Sequence, residues 1–112
     1  MKKPTDEQKK WFLEQFGFTI KPMNGEEYLG DFYYYPDCNR IERYVDLTLN
    51  NIFLYAVPKL EYFDIYRVSD GAGQRLVHAT IQAEVGDKPQ SSIDKDPALA
   101  LFWAIYKAFG GK

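Results

Sequence analysis

With 112 residues, 46% of them hydrophobic and 27% charged, the chain is long enough for one hydrophobic core and too short for two, and it can bury enough apolar surface to be ordered. Its net charge of −2 argues against broad capture of nucleic acid, which needs a basic face to release counterions, and its single cysteine, Cys38, excludes an intramolecular disulfide and a Cys-based zinc site. No stretch approaches the ~20 apolar residues of a membrane span, and the lysines of MKKPTDEQKK have no apolar run behind them, so this segment does not read as a signal peptide.

The first predicted element is a helix over about residues 5–16, because Thr5 and Gln8 have the spacing of a capping box, Phe12 and Phe16 lie one turn apart, and Gly17 is a natural stop. Phe18 and Ile20 then alternate with Thr19 and Lys21, and Asn24-Gly25 is the strongest hairpin signal in the chain. The returning strand is YLGDFYYYP, with Tyr33 and Tyr35 on a mixed face and Phe32 and Tyr34 on an aromatic one. CNRIERYVD reads as loop with a short extended piece from Ile41 to Val45, and Cys38 as a small, half-buried apolar residue.

A second helix is predicted over about residues 48–57, with Leu49, Ile52, Phe53 and Ala56 along one face and Pro58 forcing its end. YFDIYRV and RLVHATIQAEV flank a polar, glycine-containing turn and should pair antiparallel, with Val77, Ala79, Ile81 and Ala83 sharing one face of the second strand. Small residues there suggest that a helix lies close. The polar connection GDKPQSSIDKD carries a few extended residues around Gln90 to Ile93, and Asp96 followed by Pro97 predicts an N-cap and the first turn of a third helix, about residues 97–109. The order of elements gives an α+β class: a single-domain layered sandwich over residues 1–112, its mainly antiparallel sheet built from two hairpins and packed with three helices.

The third helix poses a question of coverage, since Lys107 is the only charged residue from Ala98 to Phe109. On a helical wheel the large side chains fill about half the circumference, and Ala100, Ala104 and Lys107 fill the rest with Trp103 at the margin. At 1.5 Å per residue such a helix is ~20 Å long, too short for a bilayer. The remaining covers are the sheet with a neighbouring helix, a second copy pressing on Trp103, or a ligand.

LTLNNIFLYAVPKL and DPALALFWAIYKAFGGK together resemble the phage ABA sandwich domain family of small phage and prophage proteins, in which a sheet is layered between helices and a Pro-Ala start leads into an Ala-rich terminal helix. The resemblance covers roughly Leu47 onward and leaves out FYYYP. It implies a layered fold, a viral or proviral source and residence in the cytoplasm of a bacterial host. That family supplies no catalytic residues to carry over.

Few residues point to chemistry. His78 is the lone histidine, placed mid-strand, and nothing in the order of residues joins it to Ser91, Ser92 and an aspartate as a triad. Asp87, Asp94 and Asp96 lack the ligand order and closing Glu of a calcium loop, Asp96 being better used as a cap, and Gly71 to Gly73 lacks the setting of a phosphate loop. No catalytic, cofactor or metal residue is therefore assigned.

Two functions are left. The first is a non-catalytic phage or prophage accessory protein that binds an unidentified host or phage protein or forms a homodimer, through an exposed patch of Trp103, Ala100, Ala104, Lys107, Tyr33 and Tyr35. The second is a small-molecule, nucleotide-like binding or sequestering protein that uses Arg40, Arg43, Tyr44, Tyr62, Tyr66, Arg67 and Arg75, since guanidinium groups pair with phosphate and aromatic faces stack on bases. Against it, the same arginines could simply pair with Glu42, Glu61 and Asp64.

Overall fold

The structure is a computed structural model that describes residues 3–22 and 31–111. It is of the α+β class, with three helices and two three-stranded antiparallel sheets. The chain forms two compact units, Pro4–Asp46 and the remainder from Leu47 onward.

In the first unit, helix α1 (Asp6–Gln15) starts at a complete capping box. The Gln8 amide donates to Thr5 Oγ1 at 3.2 Å and the Thr5 amide to Gln8 Oε1 at 2.8 Å, so two orphan donors of the first turn are satisfied reciprocally. Beyond it, Gly17 turns the chain at φ 95°, a conformation that suits a residue without Cβ. Strand β1 (Thr19–Pro22) pairs antiparallel with β2 (Asp31–Tyr34), and β2 with β3 (Ile41–Glu42). The expected Asn24-Gly25 turn lies outside the described residues. Phe12, Leu13, Phe16, Phe18, Tyr33, Tyr35 and Val45 are buried, and the Phe18 and Tyr35 rings meet at 5.0 Å. Cys38, expected to be half-buried, is exposed because it sits in the bend between β2 and β3.

In the second unit, Thr48 caps α2 (Leu49–Tyr55), and Pro58 lies in a single 3-10 turn that follows at once. Strands β4 (Tyr62–Ser69) and β5 (Arg75–Gln82) pair over eight consecutive positions, and β5 pairs with β6 (Gln90–Asp94). Their hairpin is closed by the Asp70 carboxylate, which accepts from the amides of Ala72 and Gln74 at 2.8 and 3.1 Å. Helix α3 (Pro97–Ala108) starts with Asp96 Oδ1 accepting from the Ala98 amide at 2.9 Å. It ends in a Schellman motif, the Gly111 amide reaching the Tyr106 carbonyl and the Gly110 amide that of Lys107.

Alternation along the strands decides what α3 covers. Val77, Ala79 and Ile81 face it, with Ala79 and Ile81 fully buried, and α3 lies over β5 and β6 with α2 against its flank. Ala100, Leu101, Phe102, Ala104 and Ile105 show no exposed surface. Each large apolar side chain removed from water in this way stabilises the fold by ~1.5–3 kcal/mol before its ordering entropy is counted. The sheet and the neighbouring helix are therefore the covers of α3, and its small-residue arc faces protein.

Candidate interaction surface

Strand β4 is built unlike its neighbours. Phe63, Ile65, Arg67 and Ser69 share the helix face of the sheet, and Tyr62, Asp64, Tyr66 and Val68 the opposite face. Both sets include large apolar groups. Because α3 is centred on β5 and β6, the helix face of β4 is left at the margin, and Phe63 remains 38% exposed with the edge of the Phe53 ring against it, 5.7 Å between centroids. On the open face Tyr62 is 49%, Tyr66 46% and, on β6, Ile93 45% exposed. Leu54 of α2 is exposed as well.

The two edges of this sheet differ. Strand β6 is short and polar, Gln-Ser-Ser-Ile-Asp, is preceded by Lys88 and Pro89, and has its Ser91 carbonyl taken by Lys107 Nζ at 3.1 Å. Short length, Pro and Lys are the devices that keep an edge strand from pairing with another chain. Strand β4 has eight residues, no Pro, Gly or Lys, and no break in its register. The described strands place no neighbour beyond it.

The open face is polar in places. Tyr62 donates its hydroxyl to Asp64 at 3.3 Å, and the carboxylate beside it, chiefly through its charge, raises the Tyr62 phenol above its ordinary range. His78 presents its ring to Tyr66 at 4.9 Å, and its Nδ1 is buried with no hydrogen-bond partner among the described residues.

The residues expected on an interaction patch fall in different environments. Ala100 and Ala104 are fully buried, so they offer a partner no surface. Tyr33 and Tyr35 are buried too, at 8% exposure, because the mixed face of β2 is the one turned inward. Burial raises both phenols, and Tyr35 is held further by Glu42, to whose carboxylate it donates at 3.4 Å. Trp103 is half-buried edge-on to Phe102 and Tyr106, and Lys107 is exposed and engaged with Ser91.

The residues of the small-molecule alternative divide between the two units. In the first, Arg40 pairs with Glu42, whose carboxylate raises its already high pKa, and lies 5.0 Å over the Tyr35 ring. Arg43 and Tyr44 line a cavity of about 210 Å³ with Lys9 and Lys10; Lys9 donates to the Tyr44 hydroxyl at 2.7 Å, and Lys10 is paired with Asp31, which raises its pKa. In the second, Tyr66, Arg67 and Arg75 line a groove of about 460 Å³ with Lys95, Ile65, Val77 and Pro97. No carboxylate is among the described lining residues, and no ion pair joins Arg67 or Arg75 to a described residue. Lys95 was not singled out by sequence, since its role depends on the turn into α3.

Among the described residues, no three His, Cys, Asp or Glu side chains gather as metal ligands, and no helix is long and apolar enough to cross a membrane. Comparison of the chain with protein-family models, with curated proteins and with solved structures finds no significant match.

Proposed function

We propose that the chain is a non-catalytic protein-interaction module whose docking element is β4. The observation that carries this reading is that a long edge strand without Pro, Gly or Lys exposes Tyr62 and Tyr66 on one face and Phe63 on the other. Aromatic side chains in such a position form the buried centre of interfaces, and an unpaired strand edge adds main-chain hydrogen bonds to them. The resemblance to phage ABA sandwich proteins adds a viral or proviral setting in a bacterial host. A photo-crosslinking amino acid placed at Tyr62 or Tyr66 tests the reading, with the exposed Glu7 of α1 as the control position. In producing cells the β4 positions should yield covalent adducts with a polypeptide and Glu7 should not; no adducts from β4, or equal adducts from all three, would overturn it.

A second reading is favoured by the groove at Arg67, Arg75 and Lys95. Three cations, with no carboxylate among the described lining residues, beside the apolar walls of Ile65, Val77 and Pro97, suit a phosphorylated ligand with a flat apolar part. Titration of the purified chain with adenosine monophosphate should then raise its melting temperature, and Arg75→Ala should abolish the rise. An unchanged melting temperature would remove this reading.

A further inference from the structure

We infer that the partner of β4 is a second copy of the same chain, its β4 laid antiparallel alongside to join two three-stranded sheets into one of six strands. The inference rests on the reading of β4 as the docking strand and goes beyond it by naming the occupant. A two-fold axis perpendicular to a sheet pairs a strand with its own copy so that like faces continue across the junction. Centred on Ile65, that pairing sets Ile65 against itself, Tyr62 against Val68, Phe63 against Arg67 and Asp64 against Tyr66.

Each of these pairs is complementary. Arg67, which has no ion-pair partner among the described residues, gains an aromatic ring in Phe63. Asp64 gains a phenol donor in the copy's Tyr66, the kind of contact it already makes with Tyr62. No like charges meet, as they would not help a cross-strand pair. Moving the axis by one residue, to Tyr66, would instead put Asp64 against Val68 and Ile65 against Arg67, so the residue pattern selects the first register. It also accounts for the difference between the two edges: β6 carries Pro89 and the Lys107 contact because it stays an edge, and β4 is long and without Pro or Lys, its two charges, Asp64 and Arg67, standing where the copy supplies partners.

The test is sedimentation equilibrium of the full chain, followed by thiol cross-linking of the Tyr66→Cys, Cys38→Ser chain with a short bis-maleimide. In the Ile65-centred register the two new thiols lie diagonally across the axis, roughly 7–8 Å apart. The expected result is a species of twice the chain mass, efficient cross-linking into that species, and conversion to a single-chain mass by Tyr66→Glu, which sets a like charge against Asp64 of the copy, with an unchanged far-ultraviolet circular dichroism spectrum. The unsubstituted chain gives its mass whether or not a variant folds. A single-chain mass at all concentrations up to several hundred micromolar would overturn the second copy; adducts of β4 with other polypeptides in cells would then leave the docking-strand reading standing, and their absence would remove both. A species of twice the chain mass that the bis-maleimide fails to link would move the interface away from β4 and overturn the proposal.

Discussion

Asp94, at the end of β6, shows how one side chain links packing to pH. Burial pushes its pKa up, yet it lies below its ordinary value of 3.8, helped by the Asp96 amide that donates to its carboxylate at 2.9 Å. A carboxylate lowered in the folded state contributes stability that is present above its unfolded pKa and lost as pH falls through the folded one. Asp94→Asn should therefore lower the urea midpoint at pH 7, and the difference from the unsubstituted chain should shrink as pH drops below 3.8; a difference that stays constant into acid would contradict it. Gly110 carries a second expectation. Its φ of 83° closes the Schellman motif, so Gly110→Ala should destabilise the chain by about 1–2 kcal/mol, measured by urea unfolding. The caps at Thr5 and Asp96 and the stop at Gly17 were legible in the sequence because caps and stops depend on near neighbours alone. Cys38, Tyr33 and Tyr35 were not: which face of a strand turns inward is set by what packs on it, and composition does not carry that information.

Helices read well for the same reason. Thr5 with Gln8, and Asp96 with Pro97, mark the starts of α1 and α3 where the structure has them, and Asp96→Ala should cost about 1 kcal/mol through loss of the contact with the Ala98 amide. Phe102, with no exposed surface, anchors α3 on the sheet, and Phe102→Ala should cost ~3–5 kcal/mol by urea unfolding, the usual range for an emptied aromatic site. A change under 1 kcal/mol would mean that the α3 core is looser than its burial indicates. The β4–β5 hairpin was legible from alternation and its turn, and the β5 face of Val77, Ala79 and Ile81, with its small Ala79, announced the helix that covers it. Full-length β6 was less so, because Gln90 to Ser92 carry no strand-forming side chains and are held by pairing to β5. The decisive feature of β4 was present in YFDIYRV, where large apolar side chains stand on both faces, Tyr62, Tyr66 and Val68 on one and Phe63 and Ile65 on the other, each face also carrying one charge, Asp64 or Arg67. One-faced alternation is the pattern of a half-exposed strand; two-faced hydrophobicity is that of a strand covered on both sides.

At the scale of the whole molecule, that mismatch between a strand written for burial and its exposure organises the functional reading. Ala100 and Ala104 of α3, which first suggested a docking face, are buried, and of the exposed large apolar side chains of the second unit Tyr62, Phe63 and Tyr66 lie together on β4, the others being Phe53 and Leu54 of α2, Val85, and Ile93 of β6. The groove of Arg67, Arg75 and Lys95 lies on the same sheet, so a ligand there and a partner on β4 would both involve Arg67. Phosphate added to the dimer should therefore shift its dissociation constant if both occur, and leave it unchanged if only one does. The most direct measurement is amide hydrogen exchange of the purified full chain at low and high concentration, resolved by residue. Pairing of β4 with its copy requires that the slowing of exchange with concentration be concentrated in residues 62–68 and absent from residues 90–94. Exchange along β4 that is fast and independent of concentration would contradict it.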